Sequence, residues 1–389
     1  MSEDGERNTS ILMFFNLLKF SKMILKYSVG NDIGHKNFRS CISTIDTQQQ
    51  VVVIANRKFD NSPRGFKAYK AWYEKNHEDS SIPMHFCMEA TGVYHEELAH
   101  FLHAEGYRVS ILLANNSKKY LESLGYKTKN DKIDAQGLAQ MGAERSLKKW
   151  DPPVEFYAKL RSLTRHYQSL QESKTAINNR LHALRVAKHS ASYVIKQTEK
   201  QLVGLKKMIK DAKKEISKQI DTDPEVRSKV NQICEIKGAS ELTIATIIAE
   251  TYGFELMENA KQLSSYVGYD VIENQSGKRE GKTKISKKGN SRIRRALHLP
   301  AFNVKKYEPV FRNLYDRTFD KHKIKMKSYV AIQRKLLTTI FALWKNDEAF
   351  DSDYYLKMKD KFDTEDEKIV AHGIPKATPG TKSLELAVQ

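Results

Sequence analysis

Between residues 156 and 216 the apolar side chains fall on a heptad repeat. Phe156, Leu160, Leu163, Tyr167, Leu170, Ile177, Leu181 and Leu184 follow at steps of 4, 3, 4, 3, 7, 4 and 3, with Lys174 in the skipped seam position. After residues 189–193 a second series, Ile195, Thr198, Leu202, Leu205, Ile209, Ala212 and Ile216, alternates 3 and 4. A repeat sustained this long fits a helix with one apolar seam, and two such stretches with a break predict an antiparallel coiled-coil hairpin. At 1.5 Å per residue the longer arm would reach about 45 Å. Its surface has two open readings: a solvated basic helix pair, or an arm for oligomerisation or nucleic acid. The hairpin organises the 389-residue chain. An extension (1–25) precedes an α/β domain (26–152), the hairpin (153–222), a mostly helical unit (223–350) and a disordered tail (351–389).

In the α/β domain, β-prone runs at 27–33, 38–45 and 51–55 predict a meander of neighbouring strands. Ser62-Pro63 opens a helix through about residue 75, with proline in the favourable first turn. Residues 84–88 and 109–113 read as strands, while 94–104 and 117–145 read as helical, the latter broken near Gly125. That order implies a mixed sheet flanked by helices.

The formal charge is +19 and it is unevenly placed. Residues 26–154 carry +3, residues 155–220 carry +10, residues 221–275 carry −6 and residues 276–296 carry +8. Concentrated basic segments point to a polyanion, and neither pairs its charge with the aromatic face that membrane insertion needs. Nucleic acid is the expected partner. No run approaches the ~18–20 apolar residues of a membrane span. Cys41, Cys87 and Cys234 are too scattered for a disulfide framework or zinc site, so a reducing, cytoplasmic setting is expected.

Four carboxylates stand out on the α/β frame. Asp32 ends the first predicted strand, Glu89 ends the fourth, and Asp131 and Asp134 are spaced i, i+3, which places them on one helix face. Oxygen ligands converging from strand ends and a helix suit hard divalent cations, and two such ions can clamp the oxygens of a phosphodiester under attack. A D-x-x-D pair alone is more often a solvated face, and this reading stays open beside the other.

These motifs resemble the insertion-sequence-110 family of transposases, the Piv/MooV-type DEDD recombinases described as bridge-RNA-guided. The resemblance rests on Val29-Gly30-Asn31-Asp32-Ile33, Met88-Glu89-Ala90-Thr91-Gly92-Val93-Tyr94 and Thr128-Lys129-Asn130-Asp131-Lys132-Ile133-Asp134-Ala135, with a C-terminal block over 236–344. It spans about residues 26–350 and starts near Met23, so the preceding residues read as an extension or a mis-set start. It implies a RuvC-like (RNase H fold) domain over 26–152, a transposase domain over 223–350 and a bacterial or archaeal host. It also implies Mg²⁺, as a two-ion site, on Asp32, Glu89, Asp131 and Asp134. Donor and target DNA, a noncoding bridge RNA and a homo-oligomer, dimer or tetramer, are the partners it implies.

Residues 233–252 resemble a helix-hairpin-helix element, in which a glycine turn offers backbone N–H groups to phosphate. Ser240 replaces the usual second glycine, and an ordinary αα-turn is the competing reading. Ser276, in Gln275-Ser276-Gly277, precedes a dense cationic run: Lys278, Arg279, Lys282, Lys284, Lys287, Lys288, Arg292, Arg294 and Arg295. From the residues alone, Ser276 is a loop serine and the cations a phosphate-binding stripe. The resemblance implies that Ser276 is the nucleophile; Ser286 and Ser291 match no nucleophile position. Tyr307, Tyr315, Tyr329 and Trp344 are candidates for base stacking, with Trp344 at core-like spacing. His35 and His298 are candidate proton-transfer groups, or merely structural.

The function expected is an insertion-sequence recombinase that cuts and rejoins DNA through a 5′-phosphoserine intermediate, with the carboxylates holding metal. A hydrolytic junction nuclease and a catalytically inactive nucleic-acid-binding relative are the alternatives.

Overall fold

The computed structural model describes residues 23–90, 92–126, 128, 130–255, 257–272, 275–276, 279–280 and 284–353. All but the first three residues of the expected disordered tail (351–389), and most of the N-terminal extension, lie outside the described residues. The chain divides into two compact units, Met1–Pro152 and Pro153–Gln389.

The first unit is built on five strands: β1 (Ile24–Ile33), β2 (Asn37–Asp46), β3 (Val51–Asp60), β4 (Met84–Glu89) and β5 (Arg108–Leu112). Their order is β3-β2-β1-β4-β5, with β1, β2 and β3 antiparallel neighbours and β1, β4 and β5 parallel. The sheet is therefore mixed, as the sequence predicts. The helices are α1 (Pro63–Lys75), α2 (Glu96–Ala104), α3 (Ala114–Ser123) and α4 (Asp131–Glu144). Ser62 caps α1, its hydroxyl accepting from the Gly65 N–H, and Pro63 follows in the first turn.

Alternation along β1 assigns each helix a face of the sheet. Tyr27, Val29 and Ile33 join Phe66, Tyr69 and Tyr73 of α1 and Leu98 and Leu102 of α2 in one core. Ser28 and Gly30 face α4 instead. A Cβ on Gly30 would lie 2.2 Å from the Ala139 nitrogen and 2.3 Å from the Ala135 oxygen. Farther along the helix, a Cβ on Gly142 would lie 2.4 Å from Ser28 Oγ. Small residues on both surfaces thus let α4 lie directly on β1, running antiparallel to it. The strand β3 is an edge, and its Val52, Val53 and Ile54 are exposed.

In the second unit α5 (Glu155–Val186) and α6 (Ser192–Asp221) pack along each other. They run antiparallel: Arg185 Nη2 meets Glu199 Oε1 at 2.7 Å near the tip, while Leu160 shares a core with Ile216 and Ile220 at the base. With 32 residues, α5 is about 48 Å long. The base is part of the helical core, which also holds α7 (Pro224–Cys234), α8 (Glu241–Thr251), α9 (Ala260–Val267), α10 (Ser291–Tyr307), α11 (Pro309–His322) and α12 (Lys325–Asn346). Residues 243–251 of α8 are all buried, the pattern of a helix surrounded by others. Between α9 and α10 lie two short antiparallel pairs, β6 (Val271–Ile272) with β9 (Lys284–Ile285), and β7 (Gln275–Ser276) with β8 (Arg279–Glu280). The sequence reads this stretch as a loop, because two-residue strands have no periodicity to detect. Among the described residues, no helix is long and apolar enough to cross a membrane.

Candidate active site

Parallel pairing brings two of the four carboxylates side by side. The β1–β4 register ends at Asn31 opposite Met88, and Asp32 and Glu89 are the next residues on each strand. Neighbouring strands lie about 4.8 Å apart. Two residues before them, Gly30 and Cys87 both face α4, with Cys87 Sγ 3.0 Å from the Leu138 carbonyl oxygen. Asp32 and Glu89 therefore point to that same face. Because α4 is antiparallel to β1, its first turn, with Asp131 and Asp134, lies toward the same end of the sheet. All four acids occupy one edge of the unit: Asp131 is exposed, the other three half-buried.

Neighbouring groups hold this edge. Asn31 is buried; its Oδ1 accepts from Tyr69 Oη at 2.7 Å and its Nδ2 donates to the Cys87 carbonyl at 3.3 Å. Ser117 of α3, also buried, donates from Oγ to Glu89 Oε2 at 2.6 Å. Asn130 caps α4 by accepting the Ile133 N–H at 3.0 Å. Asp131 and Asp134 also sit where a helix dipole favours negative charge, so they have a helix-stabilising role whatever else they do. Among the described residues, no group of three or more His, Cys, Asp or Glu side chains is arranged to hold a metal ion. The donor set suits a hard divalent cation in chemical type and in its placement at one edge; the side chains are not drawn together around one point.

Ser276 lies on β7, paired with Arg279 of β8. Lys278 and Lys282 fall outside the described residues. The remaining cations divide by role. Lys284, Lys287, Lys288 and Arg295 are exposed. Arg295 pairs with Glu172 of α5. Arg294 Nη1 donates to the Val267 carbonyl at 2.6 Å, closing the C-terminus of α9. Arg292 Nε lies 3.9 Å from Glu250.

Glu250 is the residue that sequence reasoning missed. Its side chain is fully buried on α8. Arg165 donates to it twice, Nε to Oε1 at 2.7 Å and Nη2 to Oε2 at 2.9 Å, and Asn290 Nδ2 donates to Oε2 at 2.8 Å. Arg161 Nε is 3.6 Å away. Burial pushes its pKa up, but the hydrogen bonds from Arg165 and Asn290 and the charges of Arg165 and Arg161 outweigh this and hold it below the usual carboxylate value. Asn290 also caps α10 through the Arg292 and Ile293 N–H groups. One carboxylate thus ties the foot of the hairpin to Asn290 and Arg292, within the cationic run that follows Ser276. The signal was a lone acid inside Ile247-Ile248-Ala249-Glu250-Thr251, where a buried charge demands partners.

The open readings of the remaining candidates separate in the structure. The turn between α7 and α8 faces protein: a Cβ on Gly238 would lie 2.7 Å from Asn303 Cβ, and the Lys237 N–H donates to the buried Glu308 at 3.0 Å. The hydroxyl of Ser240 caps α8. An ordinary αα-turn is the structural result, not a phosphate clamp. Tyr315 and Trp344 are buried, and Tyr329 packs on Phe302 with ring centroids 4.0 Å apart, so of the four stacking candidates only Tyr307 is exposed. His35 is exposed and lies against Tyr94; exposed His298 sits edge-on to Phe302, with Nδ1 3.4 Å from Gln333 Nε2.

Comparison with known proteins shows the family. The DEDD-type IS110 family model, described as Transposase, matches residues 29–185. The model described as Transposase IS116/IS110/IS902 family matches residues 230–316. The pilin gene-inverting proteins of Moraxella lacunata and Moraxella bovis are each 30% identical over 329 residues, 84% of this chain and 98% of theirs. The chain belongs to the IS110 family of transposases. All four carboxylates of this IS110 transposase fall within the first matched segment, and Ser276 and the basic run within the second. Among solved structures, T. thermophilus RuvC in complex with a Holliday junction substrate aligns over 32% of this chain and 99% of its own, at 11% identity and a TM-score of 0.25. A Ppx/GppA family protein of Aquifex aeolicus covers 84% of this chain and 92% of its own, at 10% identity and a TM-score of 0.20. Likenesses this distant add nothing to the fold or the chemistry of the IS110 transposase.

Proposed function

We propose that this transposase cuts and rejoins DNA through a covalent phosphoserine on Ser276, with a RuvC-like first unit supplying a Mg²⁺-dependent carboxylate site. What supports the reading is the placement of Asp32, Glu89, Asp131 and Asp134 toward one end of the sheet in a chain of the IS110 family. These four residues would hold Mg²⁺, as a two-ion site, which when bound would offset negative charge on the scissile phosphate. The Ser276 hydroxyl attacks that phosphorus and gives its proton to water, which returns one to the departing DNA 3′ oxygen. The bond to the DNA 3′ oxygen breaks, releasing a 3′-hydroxyl and leaving a 5′-phosphoserine ester. A 3′-hydroxyl of another strand attacks the ester, restores the phosphodiester and frees Ser276. Hydrolysis would discard the bond; the ester conserves it, as rejoining requires. The relatives' name, pilin gene-inverting, describes an outcome of this cut-and-rejoin kind.

Sequence choice is assigned to a noncoding bridge RNA that pairs with donor and target DNA, leaving the protein mainly backbone contacts through Arg279, Lys284, Lys287, Lys288 and their neighbours. The α5–α6 hairpin is read as a coiled-coil arm for a homo-oligomer. Ile177, Leu202, Leu205 and Ile209 of its seam stay only half-buried within one chain, which suits burial against a second copy.

The test incubates protein, Mg²⁺, RNA from the element's flanks and end-bearing DNA, and looks for a denaturation-resistant protein–DNA adduct. An adduct lost in Ser276→Ala is expected. Cleavage that persists in Ser276→Ala without any adduct assigns hydrolysis instead. Asp134→Asn is expected to abolish cleavage, and full activity in that variant removes the carboxylate site.

A further inference from the structure

A groove of about 550 Å³ opens between α10 and α12 beside β9, the strand that follows the Ser276 pair. Tyr269, Ile285 and Val330 form apolar parts of its lining. Leu299 and Met326 stand at its lips, 71% and 51% exposed, although a soluble surface gains nothing from presenting them to water. Lys287, Arg294 and Arg295 supply positive charge on the same lining. The polar groups inside are oriented. Tyr269 Oη donates to Gln333 Oε1 at 2.9 Å, which fixes the amide so that Nε2 turns toward His298 Nδ1, 3.4 Å away. An amide nitrogen carries two N–H donors, and His298 accepts at most one of them. The groove therefore combines apolar walls, an oriented hydrogen-bond donor and cations at its margin.

We propose that this groove receives one unstacked nucleobase of a single-stranded segment whose phosphates lie on Lys287 and Arg295. The proposal rests on the reading of the chain as acting on nucleic acid and extends it to a site for a base. The apolar walls cover the base faces, the Gln333 amide donates to a carbonyl or ring nitrogen on its edge, and phosphate displaces Glu172 from Arg295. A protein segment would satisfy the walls but not the excess of cations.

The test measures fluorescence anisotropy of a labelled single-stranded oligonucleotide and of an equally long strand with abasic linkers in place of its bases. Wild type is expected to bind the base-bearing strand roughly tenfold more tightly. Leu299→Ser with Met326→Ser, at exposed positions that leave the core intact, is expected to lose that preference and keep its affinity for the abasic strand. Lys287→Ala is expected to weaken both strands. Equal affinity of wild type for the two strands, or a preference that survives the double substitution, overturns the proposal. A change of molecular mass in the double variant with the preference intact also overturns it, and makes the groove a protein interface. An adduct on Ser276 without any base preference sinks the groove alone. Base preference without an adduct leaves the groove standing and sinks the phosphoserine reaction.

Discussion

Gly30 shows how a single missing side chain sets the acidic edge. Its Cα must let the α4 backbone approach, because a Cβ there would meet Ala139 N and Ala135 O at 2.2 and 2.3 Å. Backbone atoms cannot rotate away, so the helix would have to shift off β1 and take Asp131 and Asp134 with it. Gly30→Ala is expected to destabilise the first unit by about 3 kcal/mol or more, read as a lowered midpoint in chemical denaturation. An unchanged midpoint would mean that α4 does not lie on β1 as described. At this scale much was legible. Asp32 and Glu89 stand out by their places at the ends of predicted strands, and Asp131 with Asp134 by their spacing. Ser117 was not legible, because a serine acquires its meaning only when the fold brings it 2.6 Å from Glu89. The turn at Gly238 stays open between two readings in the sequence for the same reason, since no local pattern tells of Asn303 across the core.

Among elements, the junction at Glu250 decides whether α5, α8 and the start of α10 hold together. Removing its carboxylate takes the acceptor from Arg165 and Asn290 and the opposite charge from beside Arg161, which keeps its contact with Tyr252. Glu250→Ala is expected to cost about 2–3 kcal/mol, less than for a fully buried pair because Arg165 is over a third exposed and water can replace its acceptor. The sign of its pH dependence follows from its lowered pKa. Its contribution is complete above the unfolded value near about 4.3 and is lost as pH falls through the lower folded value. Wild type is thus expected to lose stability on the acid side where Glu250→Gln shows a flatter profile, followed by thermal melts from neutral pH downward. Identical acid limbs would remove Glu250 from this role. Element boundaries were well read where period or caps were strong, as in α1 after Ser62 and in the two hairpin helices. They were lost in β6–β9, whose pairing depends on register between residues 271–272 and 284–285.

For the molecule as a whole, the +19 charge resolves into different duties. Some cations are spent on structure: Arg294 closes α9 and Arg165 neutralises Glu250. Lys287 and Lys288 are exposed on the turn before α10, with no acidic partner among the described residues. Replacing both by alanine is expected to lower the slope of log affinity against log salt by about 1.4 for single-stranded nucleic acid, roughly 0.7 for each phosphate left without its lysine. A slope that does not move would show that these lysines do not meet phosphate. The strand order also carries a consequence for timing during synthesis. The β1–β2–β3 meander is made of neighbouring hairpins and is available early, whereas β1 must wait for β4 across an intervening helix, and α4 comes last in its unit. Non-local pairings form late because chain closure must precede them. The acidic edge is therefore the final part of the first unit to be assembled, and a nascent chain released before residue 131 would carry a sheet with only half its carboxylates.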